Sequence, residues 1–183
     1  MPRLLALALV TALLTLVSAA PPAAAKYVPE TFSTMAKQSH RIVAGKITKL
    51  DEKIFTLEIE TVYAGELREG EKTMEVFRFQ DWTCAARWAK YAVGQRVVVF
   101  VKRAKGQWAL RSAGGEGEMP IVQEKNEKGE LVDRILVRGR ETQSLGKAAR
   151  HAVHGTKLYS VKVTSAELRK AIDKLRKPRP VGG

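Results

Sequence analysis

Val97-Val98-Val99-Phe100-Val101 is a run of five apolar residues, four of them valine, introduced by Gly94-Gln95-Arg96 and closed by Lys102-Arg103. The run is too short for a helix and apolar at every position rather than every second one, which predicts a strand covered on both faces. The rest of the chain is read as wrapping around it. Immediately downstream, Lys105-Gly106 predicts a tight turn into a hairpin partner, Gln107 to Ser112.

Upstream, three segments alternate with the two-residue period of strands. Arg41 to Leu50 alternates around Val43, Gly45 and Ile47, with Gly45 marking a bend. After the turn Asp51-Glu52-Lys53, Ile54 to Tyr63 sets Phe55, Leu57 and Ile59 on one face and mostly polar residues on the other. Thr73 to Phe79 follows, with an ambiguous inward face. Gln80 to Val93, rich in alanine and aromatic residues, breaks the pattern and fits either a one- or two-turn helix or an ordered loop.

Downstream, the glycine-rich turn from Ala113 to Glu118 leads into Met119-Pro120-Ile121-Val122-Gln123, a short strand whose proline suits a sheet edge. Leu131 to Val137 is another strand. Residues 138–157 lose the alternation and gain charge and glycine, which fits a weak helix between Gln143 and Val153 or a mobile basic loop. Leu158 to Val163 is extended again. Thr164 and Glu167 then form a capping-box pattern ahead of Leu168, Ala171, Ile172 and Leu175, a C-terminal helix over 164–177 that ends before Pro178. Residues 178–183 read as a disordered tail. Near the other end, Phe32, Met35 and Ala36 share one face of a short helix. The fold class expected is mainly β: one OB-like barrel of five to seven strands over 26–163, with a short N-terminal and a C-terminal helix.

Residues 1–25 read as a secretory signal peptide: Met1-Pro2-Arg3, then an uncharged apolar stretch from Leu4 to Val17, then small residues and prolines to Ala25. The apolar stretch is shorter than the roughly 20 residues a spanning helix needs. Cleavage is expected after Ala25 by the Ala23-x-Ala25 pattern, with Ala19 as second choice, giving a soluble secreted or periplasmic protein that starts at Lys26. Loss of the leader removes Arg3 alone, so 32 basic side chains become 31 against 19 acidic ones and the net charge of +13 becomes +12. Such a balance draws the protein to anionic surfaces, or serves only as a solubilising shell. Cys84 is the single cysteine, which rules out an intramolecular disulfide and leaves stability to the core.

No catalytic constellation emerges. Gly114-Gly115-x-Gly117 lacks both the Lys-Ser/Thr pair and the following helix that a phosphate cradle requires. His151-x-x-His154 has no carboxylates or thiols nearby to complete a metal site. The carboxylates are scattered, no serine sits in a nucleophile elbow, and no cofactor is expected. Aromatic residues interleaved with basic ones are the suggestive feature. Phe77, Arg78, Phe79, Trp82, Arg87, Trp88 and Lys90 form the candidate partner-binding surface, the alternative being that these rings fill the core and its lid.

The order of Ser39-His40-Arg41-Ile42-Val43-Ala44-Gly45-Lys46-Ile47, Leu57-Glu58-Ile59-Glu60-Thr61-Val62-Tyr63-Ala64-Gly65, Thr83-Cys84 and Tyr91-Ala92-Val93-Gly94-Gln95-Arg96-Val97 resembles that of netrin-like modules, the inhibitor domains of tissue metalloproteinase inhibitors, and related exported bacterial proteins. The resemblance extends to Gly114 to Val122 and to Ser165-Ala166-Glu167-Leu168-Arg169, and it implies an OB-type barrel. Animal members inhibit through an amino-terminal cysteine that chelates the protease zinc; here the expected start is Lys26 and the disulfide network is missing, so that route is not implied. The reading is a non-enzymatic exported domain that binds a protein or an anionic envelope component. The alternatives are an inhibitor of a secreted hydrolase that uses the 81–88 loop and, more weakly, a single-strand nucleic-acid binder.

Overall fold

The computed structural model describes residues 28–81, 86–112 and 116–177; the leader, Trp82, Cys84 and the 178–183 tail lie outside them. Along the chain the elements are α1 (Phe32–Gln38), β1 (Arg41–Leu50), β2 (Ile54–Ala64), β3 (Thr73–Phe77), β4 (Arg96–Ala104), β5 (Gln107–Leu110), β6 (Glu118–Lys125), β7 (Leu131–Val137), a 3-10 turn (Thr142–Leu145), β8 (Ala149–Val153), β9 (Thr156–Val163) and α2 (Ser165–Arg176). The first five strands pair in the order β1-β2-β3-β5-β4, and β4 pairs back onto β1 to close a barrel. Within it β3 and β5 run parallel and every other pair antiparallel. This is an OB-like barrel.

β4 is the strand that joins the layers. One edge pairs with β1 from Arg41 to Lys46; the other pairs with β5 through Val101–Ala104 and with β6 through Val97–Val99. β5 and β6 thus lie end to end along one edge, and the ladder continues between them as Arg111 N–H donates to Phe100 O and Phe100 N–H to Gly117 O, both at 2.8 Å. Side chains alternate between two cores. Val97, Val99 and Val101 point into the barrel with Val43, Ile47, Phe55, Leu57, Met74 and Val76. Val98 and Phe100 point outward into a second core with Phe32, Met35, Ile135, Val161, Leu168 and Ile172. The double-sided burial expected of the run is what the structure has: all five residues show 0% exposure.

Beyond the barrel the sheet continues β6-β7-β9-β8, so nine strands hydrogen-bond in one series although only five close. Both helices cover its inner face. α2 starts as its sequence predicts: Thr164 Oγ1 accepts from Glu167 N–H at 3.2 Å, and the Glu167 carboxylate accepts from Thr164 N–H at 2.7 Å. Leu168 and Ile172 are fully buried beneath it.

Two local expectations change. Pro120 sits not on an edge strand but where β6 passes from β4 to β7: its last partner on β4 is Val97, and pairing with β7 begins at Ile121. The missing N–H falls at that hand-over, where a proline does least harm to the ladder. Residues 138–157 contain neither the weak helix nor a structureless loop, but the 3-10 turn and β8, which pairs with β9 through a two-residue turn at His154-Gly155, both at positive φ. β3 places Met74 and Val76 inward, which settles its ambiguous face. Gly45, read as a bend, lies at a register shift, where a Cβ would come 2.0 Å from Glu58 O.

Candidate binding surface

The connection from β3 to β4 crosses one end of the barrel, and the described part of it contains no helix. Its course is fixed by backbone groups satisfied locally. Arg78 N–H donates to Lys53 O and its Nη1 to Asp51 O, Phe79 N–H donates to the Tyr91 hydroxyl at 2.9 Å, and Arg87 N–H donates to Asp81 Oδ1 at 2.6 Å. The Tyr91 ring lies 5.4 Å from that of Phe55, so the connection is clamped to the barrel interior.

Beneath this cap lies a buried ion pair. Arg87 grips Glu118 of β6 with two donors, Nε to Oε2 at 3.0 Å and Nη2 to Oε1 at 2.5 Å, and both side chains are 1% exposed. Further donors are used as well: Nη1 to Ala89 O and Nη2 to Gln95 Oε1. The guanidinium plane lies 3.8 Å from the Tyr91 ring centroid and 4.1 Å from that of Trp88. Tyr91 in turn donates to Glu118 Oε2 at 2.9 Å. Burial, reinforced by the Glu118 charge, pushes the Tyr91 phenol far above its ordinary value. A charge so deep is tolerable only with a counter-charge and hydrogen-bond partners of this kind. The network is a plug that seals the barrel end.

The sequence-predicted surface therefore divides. Arg87 and Trp88 face inward, with Trp88 2% exposed and stacked on His154 of the β8–β9 turn at 5.5 Å. Trp82 lies outside the described residues. Phe77, Arg78 and Phe79 are half-buried and Lys90 is exposed. Two adjoining clefts use these four. One, of about 490 Å³, is floored by Phe77, Phe79 and Leu110 with Lys53 and Arg78 at its rim. The other, of about 460 Å³, lies between Arg78, Phe79, Lys90 and Tyr91. Arg78 is held over the Tyr91 ring at 4.8 Å, which presets its direction.

Lys53, Tyr91 and Leu110 were not among the sequence candidates, because turn, cap and hairpin meet only in the fold. The usable signal was Arg87 itself, a lone arginine among alanines and tryptophans, a setting in which burial requires a carboxylate partner. The two histidines of the His-x-x-His pattern part company: His151 is half-buried on β8, while His154 occupies the turn. Among the described residues no group of three or more His, Cys, Asp and Glu is placed to hold a metal ion, and no helix is long and apolar enough to cross a membrane.

The fold defines an OB-like barrel with an added sheet and two covering helices. No protein-family model matches this chain, and neither a curated protein nor a solved structure does.

Proposed function

We propose that the chain is a non-enzymatic, exported, netrin-like binding domain that recognises a protein or an anionic envelope component through the twin cleft at Phe77, Arg78, Phe79 and Lys90. The observation that carries this reading is the plug. With the barrel interior packed by side chains and its end sealed by the Arg87–Glu118 pair, a ligand has to be met on the outer surface. The cleft offers half-buried rings beside the preset Arg78 guanidinium and the exposed Lys90, a combination that gives a binding site both apolar contact and orientation. The leader pattern and the net charge of +12 after cleavage support export and an anionic counterpart. The outer face of β2 and β3 carries the exposed Glu58 and Glu75, which argues against a nucleic-acid backbone on that face.

The test is capture from envelope extract across a salt series, with the mature protein and a Phe79→Ala/Lys90→Glu variant side by side. A partner retained at low salt and weakened at least tenfold by the variant supports the reading. Absence of a partner at every ionic strength, or equal capture by the variant, removes it.

A further inference from the structure

We infer a second ligand site, independent of the first, in the cleft between the 3-10 turn and α2, built for a long-chain carboxylate. The cleft measures about 430 Å³, within the range of small-molecule sites. Its floor is apolar: Phe32, Leu145, Ala171 and Leu175, of which the last three are only half-buried and so still present surface to a ligand. Above the floor stand Lys170 and Lys174, one helical turn apart on the same side of α2. Neither forms a salt bridge among the described residues.

Charge on the surrounding chain points the same way. No Asp or Glu occurs between Glu141 and Glu167, a stretch that contributes Lys147, Arg150 and Lys157, besides Lys162, which is paired with Glu124. Glu167, the acidic residue on the cleft wall, is committed elsewhere: its carboxylate accepts from the backbone N–H and the hydroxyl of Thr164, which hold its pKa below the ordinary carboxylate value. An apolar trough under two ammonium groups, neither held in a salt bridge among the described residues and together outweighing the single Glu167 carboxylate, complements a ligand with an apolar body and one anionic end. A small anion would leave the floor wet, and a neutral alkyl chain would leave the lysines unmatched.

Calorimetric titration of the mature protein with monomeric laurate tests this, with acetate and the uncharged dodecyl maltoside as controls. Laurate binds at one equivalent, and both controls bind at least tenfold more weakly. Lys170→Glu/Lys174→Glu weakens laurate at least tenfold, and Ala171→Phe, which fills the trough, abolishes binding. Lys125→Glu/Lys128→Glu, an equal change in net charge at the β6–β7 turn, leaves affinity within twofold, as does Phe79→Ala/Lys90→Glu. Each of four results overturns the inference: no laurate binding, acetate binding as tightly as laurate, equal weakening by the two charge reversals, or loss of laurate in the Phe79/Lys90 variant alone. The last would place the carboxylate in the other cleft.

Discussion

Removing one member of the Arg87–Glu118 pair strands the other in the cap of the barrel. Arg87→Met leaves a carboxylate whose side chain is 1% exposed, with only the Tyr91 hydroxyl still donating to it among the described residues. Glu118→Leu leaves a guanidinium with Gln95 Oε1 and Ala89 O but no salt-bridge partner among the described residues. Either change costs about 3–5 kcal/mol, the range for breaking a buried pair, against a total stability of about 5–15 kcal/mol for a domain. Replacing both, Arg87→Met/Glu118→Leu, strands no charge. Gln95 Oε1 and Ala89 O lose their donor as they do in Arg87→Met, so relative to that single variant the added loss is the Tyr91 donor, about 1–3 kcal/mol, against relief of the stranded carboxylate. The double variant is therefore more stable than either single one, and the cycle shows strong non-additivity, with an interaction energy of about 3 kcal/mol or more. Urea unfolding at neutral pH, followed by tryptophan fluorescence, measures all four proteins, and Trp88 at 4.1 Å from the guanidinium reports on the cap directly. Single changes costing under about 1 kcal/mol, or additive effects, would refute the reasoning that this pair seals the barrel.

Other consequences follow from packing and charge. Gly45→Ala places a methyl group 2.0 Å from Glu58 O within a paired strand, so the ladder has to shift; a cost of about 3 kcal/mol, the upper end of the overpacking range, is expected, read as a lowered urea midpoint or loss of soluble protein. Phe100→Ala empties the helix-side core, where the ring meets Phe32 edge-on at 6.1 Å, and costs about 3–5 kcal/mol by the same assay. Glu71, bonded to Arg41, and Glu124, bonded to Lys162 and Arg134, both have pKa values held below 4.5 by those partners. Their stabilisation is full above that value and is lost as pH falls through the lower, folded-state values. Melting temperature should therefore drop as pH falls below 4.5, and Glu124→Gln should flatten that drop.

Elements whose reason is local were readable in the sequence. The valine run needs no partner to declare itself, because apolarity at every position leaves only a doubly covered strand. The Thr164–Glu167 box and the Phe32/Met35 face are likewise written within one helical turn. β8 was not readable: of its five residues only Val153 is buried, and its extended form rests on hydrogen bonds to β9 rather than on alternation. The inward turn of Arg87 was hidden for a related reason, since the carboxylate that makes it tolerable lies 31 residues on, at the start of another strand. Phe77, Arg78, Phe79 and Lys90 were found as a local aromatic-basic pattern, whereas Lys53 and Leu110 join them only because β2 begins where β3 and β5 end, at the same rim of the barrel.

The claim beneath all of this is that β4 is enclosed on both faces and bonded along both edges. Hydrogen–deuterium exchange resolved to single amides measures it. The amides of Val97 to Val101 should be among the slowest in the protein, opening only with global unfolding, while those of β8 exchange much sooner. Exchange of the Val97–Val101 amides as fast as that of β8 would contradict the account.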